Sequence, residues 1–386
     1  MARSFRFKEF VLFLSSIRGD IANVTAPPFF LAPQSFLEGL KCFTERPALF
    51  SAPALETDPD KRAMLVVKWW LSSLKAAFYV GQNDKAGIRK PLNPFLGELW
   101  FGDWQDETNK TSMIVEQVSH HPPITACYMW DEENGIRGEG YTRVEMTFSG
   151  FLNVKQTGHA ILHIDRYNEN HLLPLPSFQV RGFMGGHLYP EITATYHVVS
   201  SSGFTTEVQF LGRGLFSGVR NSFRAQMYRT DDKARTAVYK FEGQWNDKFE
   251  ICHVPTGSLE MHTVDSSPSA TTLGKDLSDQ DPWESRKAWA KVHEALQQGD
   301  MQATIKEKSK LEQAQRDMRK KEKAEARGWD ALFFSQMEDQ YTLFHDLTSN
   351  VHWPLQPERT KGVWKFDHEK AREASSPYRN GLTPLG

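Results

Sequence analysis

The chain has 386 residues, a formal net charge of -2 and 39% hydrophobic residues, with 26 Phe and 11 Trp available to fill a core. So balanced a charge excludes a general polyanion binder such as a nonspecific DNA protein, and any anion site must be local. Three widely spaced cysteines, Cys42, Cys127 and Cys252, form no CxxC pair; they indicate neither a disulfide framework nor a zinc module, and they suit a reducing cytosol.

At the start of the chain, "MARSFRFKEFVLFLSSIRGD" places Phe7, Phe10, Val11, Leu14 and Ile17 at helical spacing. The uncharged apolar run from Phe10 to Leu14 falls short of the roughly 7 to 15 residues of a signal-peptide core. No stretch approaches the roughly 20 residues of a membrane span. Such an apolar helix docks on the core, acts as a movable lid or lies on a membrane surface.

After a turn at "TAPPFFLAP", residues 35 to 80 read as helical, with Met64, Val67, Leu71, Leu74 and Phe78 along one face. From about Thr111 to about His253 the period changes to two, as in "EITATYHV" and "FTTEVQF". Many short alternating strands predict an antiparallel sheet closed into a barrel, which removes exposed edges. A barrel much larger than eight strands leaves an interior that side chains alone do not fill. Residues 263 to 280, rich in Ser, Thr, Asp and Gly, read as a surface loop. "DPWE" then predicts a helix start capped by Asp281, with Pro282 in the first turn and Glu284 three residues after the cap. That helix should stop near Gly299, and a second should run from about Asp300 to Arg327. The tail beyond about Val351 receives no assignment.

The segment "EQVSHHPPITA", Glu116 to Ala126, sets two histidines against two prolines. Successive strand residues point to opposite faces, so His120 and His121 are poor co-ligands for one metal, and no further ligands accompany them. No metal site is expected. Taken alone the pair fits a structural role, but imidazoles on a proline-stiffened strand can also donate to an anion. Two other stretches favour the anion. "RKPLNPFLGELW" carries Lys90 and Asn93, and "KEKSKLEQAQR" sets Lys308, Glu312 and Arg316 at i, i+4 and i+8 of a helix, where Glu312 can hold both cations. Lys90, the histidines, Lys308 and Arg316 together suit a phosphomonoester of about -1.5 to -2 charges.

These motifs, with "KPLNPFLGEL", "GRGLFSGVRNSF", "ESRKAW" and "KSKLEQAQR", resemble the lipid-transfer domain of the oxysterol-binding protein family in order, from about residue 7 to about residue 335. The resemblance is to a short, stand-alone member, without room for pleckstrin-homology or ankyrin regions. It implies an α+β fold dominated by a large incomplete antiparallel β-barrel enclosing a lipid tunnel, with an N-terminal helical lid and C-terminal helices. The expected organisation is a lid at 1–30, a helical N-terminal part of the lipid-binding domain at 31–110, the barrel at 111–262, the surface loop at 263–280, and a C-terminal helical region and tail at 281–386.

The resemblance also implies the ligands. Phosphatidylinositol 4-phosphate is expected to have its head group held by Lys90, Asn93, His120, His121, Lys308, Glu312 and Arg316. For a sterol, the tunnel and lid positions are Phe7, Phe10, Ala77, Phe78, Thr142 and Gln156. Ala77 stands where sterol-binding members have Gln and Thr142 where they have Asn, whereas Gln156 matches; phosphatidylserine, or no second lipid, is the alternative. The implied activity is exchange of the two lipids between membranes by a cytoplasmic monomer, peripheral and transient on membrane surfaces, with no cofactor, metal or nucleic acid. No GxSxG elbow, P-loop or phosphatase cysteine loop supports an enzyme.

Overall fold

The computed structural model describes residues 20, 26–80, 87–183, 187–212, 218–337 and 341–386. The expected lid positions Phe7 and Phe10 lie outside these.

One antiparallel sheet dominates. Its strands are β3 (Leu99–Gln105), β4 (Lys110–His120), β5 (Pro123–Asp131), β6 (Ile136–Phe148), β7 (Leu152–Ile164), β8 (Glu169–Leu173), β9 (Phe178–Arg181), β10 (Tyr189–Glu191), β11 (Thr195–Ser200), β12 (Phe204–Phe210), β13 (Ser222–Arg229), β14 (Ala237–Gln244), β15 (Lys248–His253), β16 (Ser258–Thr263) and β17 (Thr271–Thr272). Ahead of it, β1 (Leu31–Ser35) pairs in parallel with β2 (Lys90–Leu92). The main path runs from β16 at one edge to β3 and then β17 at the other. Laid flat, those thirteen strands would span roughly 58 Å at about 4.8 Å per spacing. The chain nevertheless passes from Thr263 to Thr271, one edge to the other, within a reach of roughly 28 Å. The sheet must therefore curl until its edges approach, and the result is an incomplete barrel.

Inside the curl lies a helix, α2 (Pro59–Phe78), which follows α1 (Pro47–Leu55). Its buried residues, among them Met64, Val67, Trp69, Trp70, Leu71 and Leu74, reach around most of its circumference, as an interior helix requires. They share one core with Phe210, Phe223, Phe241, Trp245 and Phe249 of the surrounding wall.

The wall is buried on both faces near the histidines. Along β5, Cys127 and Met129 belong to the inner side, whereas Ile124, Ala126 and Tyr128 pack outward under Trp283, Trp289, Phe333, Phe334 and Phe366. The C-terminal region thus forms a second layer. It contains α3 (Ala290–Gln298), α4 (Met301–Ala324), and the antiparallel pair β18 (Phe334–Met337) and β19 (Val363–Phe366).

Three sequence boundaries move. The sheet begins at Leu99 and not 111, because "LWFGDWQ" already alternates: Trp100 and Trp104 turn into the core, and a side chain at Gly102 would lie 2.3 Å from Trp104. The stretch expected to be wholly a surface loop supplies β17, which pairs with β3. Asp281 does accept from Trp283 N, and Glu284 from Asp281 N, but this turn precedes a helix that starts only at Ser285. Gly299, at φ 71°, ends α3, and the Asp300 carboxylate caps α4 through Ala303 N at 2.9 Å.

Candidate lipid-binding site

Between α2 and the inner faces of β5, β6 and β7 runs a cavity enclosing about 1820 Å³, part of it open to solvent. Phe30, Trp70, Leu74, Met129, Val154 and Phe178 contribute to an almost wholly apolar lining. The expected tunnel positions Ala77, Phe78, Thr142 and Gln156 all line it. Phe78 packs on Phe178 at 4.6 Å between ring centroids. Thr142 donates to Gln156 Oε1 at 3.3 Å, and Gln156 Nε2 donates to the Pro176 carbonyl at 2.8 Å. Polar side chains in an apolar wall keep partners in this way.

Lys90 also lines the cavity. Burial, then the Lys308 ammonium, brings Lys90 down to about 8. Lys308 itself is buried, reaching in from α4 with Glu312 as its ion-pair partner. Asn93 follows β2 directly, and the next residue, Pro94, offers its carbonyl to His120 Nδ1 at 3.1 Å. His120 ends β4 and His121 follows, their rings 4.6 Å apart and inclined at 68°. Burial, then His121, brings His120 down to about 4, while Glu312 acts in the opposite direction. Lys90, Lys308, Glu312, His120 and His121 are therefore electrostatic neighbours, contributed by β2, α4 and the end of β4. Arg316 departs from expectation: it is exposed and donates to Gln313 Oε1 at 2.9 and 3.1 Å, leaving Glu312 to Lys308 alone. On a helix its eight-residue offset from Lys308 amounts to about 80° of rotation, enough to turn it toward solvent.

Two carboxylates of the same motifs serve the frame. Glu98, fully buried, accepts from Phe95 N at 3.1 Å, Ser285 Oγ at 2.7 Å and Trp289 Nε1 at 2.9 Å, and burial pushes it up to about 7. Glu116 accepts from Leu332 N at 2.8 Å and Phe333 N at 2.9 Å. Glu98 ties the C-terminal layer to the turn before β3, and Glu116 ties it to β4, the strand that presents the histidines. Sequence spacing gave no sign of these long-range partners.

The described residues therefore define a barrel protein with an internal apolar cavity and a cationic cluster that reaches it through Lys90. Comparison with known proteins gives the class its family. The model for the oxysterol-binding protein family matches residues 10–295. A probable transporter, efuK of Hormonema carpetanum, is 45% identical over 375 residues, 96% of this chain and 54% of the relative, so the chain spans about half of that protein's length. Protein kes1 of Schizosaccharomyces pombe is 32% identical over 374 residues, 93% of this chain and 92% of the relative. Two solved structures share the fold at TM-score 0.70: the Osh1 ORD domain in complex with cholesterol, at 22% identity over 93% of this chain and 86% of that one, and the Saccharomyces cerevisiae Osh3 ORD in complex with PI(4)P, at 19% over 95% and 92%. This chain belongs to the oxysterol-binding protein family, a family of lipid-binding and lipid-transfer proteins and not of enzymes. Among the described residues no helix is long and apolar enough to cross a membrane.

Proposed function

We propose that this chain extracts phosphatidylinositol 4-phosphate and a sterol from membranes, one at a time, and exchanges them between cytoplasmic membrane surfaces. The observation that carries the reading is the placement of Lys90: one lysine lines the apolar cavity and feels the charges of Lys308 and Glu312. A ligand that fits both is a lipid with an anionic head. Each buried CH2 contributes about 0.8 kcal/mol, so a lipid leaves a bilayer for water rarely, and a protein cavity removes that exposure. If the two lipids share the cavity their binding is mutually exclusive, and a gradient of one drives the other in the opposite direction. His120 and His121, with Lys90, Asn93, Lys308 and Glu312, hold the phosphate; Arg316 joins by turning from Gln313. Ala77, Phe78, Thr142 and Gln156 contact the sterol. Ala77, which offers no hydrogen bond, favours a second reading in which phosphatidylserine or no second lipid accompanies the phosphoinositide. A transfer assay between two liposome populations tests the reading: sterol movement accelerated at least tenfold by a counter-gradient of the 4-phosphate supports exchange, and no acceleration contradicts it.

Lys90 gives the binding a pH signature. In the free protein its proton is lost near pH 8, below the ordinary lysine range. A bound phosphate favours the charged form and returns the group toward or above that range. Binding above pH 8 therefore takes up a proton, and affinity for the 4-phosphate falls as pH rises from about 8 to about 10, by up to tenfold per unit. Below about pH 7 Lys90 is charged in both states and contributes no slope. Titration calorimetry with a short-chain 4-phosphate lipid should show this fall, and Lys90→Arg should remove it. An unchanged slope in Lys90→Arg would separate Lys90 from the phosphate.

A further inference from the structure

The outer face of the same wall carries another cavity. Along β7, Val154, Gln156 and Ala160 line the tunnel, and strand alternation turns Lys155, Thr157 and His159 the other way. These three help to line a cavity of about 650 Å³, part of it open to solvent, with Phe344, Trp353 and Leu355 of the C-terminal region on its far side. The two strands that form its base approach closely at Gly158: with φ 139°, a side chain there would lie 2.0 Å from the Tyr141 carbonyl oxygen.

The polar groups at this face indicate what it accepts. Thr157 is 8% exposed, and its buried hydroxyl oxygen has no hydrogen-bond partner. Across β6 the register sets Arg143 opposite Thr157 and Glu145 opposite Lys155. Glu145 pairs with Arg143 at 3.0 Å and also with Arg359, and the Nε atoms of both arginines are buried without an acceptor. Arg143 and Arg359 thus share one carboxylate on the neighbouring strand, and Lys155 is the charged side chain that lines the cavity together with Phe344 and Trp353. An anion in the cavity would pair with Lys155 and supply the partner that the buried Thr157 hydroxyl lacks.

We propose that this outer cavity is a second binding site, for a small organic anion with an apolar body: the anionic end lies toward Lys155 and Thr157, and the body against Phe344, Trp353 and Leu355. The site does not depend on the cargo of the tunnel. It does share a wall with it, since Pro174 and Leu175 line both cavities and Gln156 binds Pro176 and Ser177 in the same partition.

The test titrates octanoate, and separately its neutral counterpart octanol, into the isotopically labelled full chain, followed by amide and tryptophan indole signals. Octanoate is expected to shift Lys155, Thr157 and Trp353, to do so with the tunnel preloaded with a long-chain lipid, and to bind at least tenfold more weakly to Lys155→Glu. Shifts confined to tunnel residues such as Cys127 and Met129, or shifts abolished by preloading, would overturn the site. Octanol binding as tightly as octanoate, or unimpaired binding to Lys155→Glu, would overturn the assignment to an anion.

Discussion

Replacing both His120 and His121 with glutamate is expected to abolish extraction of the 4-phosphate lipid while sterol uptake stays within about twofold of the native chain. A hydrogen bond to a charged group contributes about 1.5 to 3 kcal/mol, so losing two weakens binding by at least about 100-fold before repulsion is counted. Repulsion then adds to the loss, because the two carboxylates would face the phosphate near Glu312, whose charge already reaches His120. The separation of effects follows from position: neither histidine lines the apolar cavity, whereas Phe78, Thr142 and Gln156 do. His121 is exposed and His120 half-buried at a strand end, so the fold should tolerate the change. Sedimentation with liposomes of matched composition reads both lipids in one experiment. Equal loss of both would show that head-group recognition is not separable from the cavity.

Glu116→Ala is expected to cost about 3 to 5 kcal/mol of stability, the range for removing one partner of a buried charged network. The fully buried carboxylate accepts from the backbone of Leu332 and Phe333, and Arg379 lies 3.6 Å away, its guanidinium stacked 3.7 Å over Trp329. Alanine would leave the Leu332 and Phe333 N–H groups without their acceptor and the Arg379 guanidinium without its counter-charge. At roughly 2 to 4 °C per kcal/mol, the thermal midpoint should fall by about 10 °C. Glu116→Gln keeps one acceptor oxygen and should lose clearly less. A midpoint for Glu116→Ala within about 2 °C of the native chain would mean that the C-terminal layer is held by other contacts.

The fold was legible where periodicity was regular. Alternation in "FTTEVQF" became β12 in full, and the Gly299–Asp300 stop-and-cap signal placed the junction of α3 and α4. It was less legible where long-range packing decides, as at Leu99–Gln105, whose aromatic residues read equally well as part of a helical region until the core to which they turn is known. The candidate site divides along the same line. Motif residues from three elements do meet at one end of the cavity, yet the i+8 rotation that sends Arg316 to Gln313 was available from helix geometry alone. Glu116 stands only four residues before His120, although its partners lie more than 200 residues away in sequence. The tail after Val351, unassigned from its composition, packs through Val363 and Trp364 onto the outer face of the barrel.

The most direct test of the account is to incubate the purified chain with liposomes containing sterol, phosphatidylserine, phosphatidylinositol and its 4-phosphate, re-isolate it, and quantify the bound lipid by mass spectrometry. One lipid per chain, with sterol and the 4-phosphate each displacing the other, is the predicted result. Recovery of both lipids in the same chain, or of sterol without any 4-phosphate, would contradict a single cavity served by one cationic end.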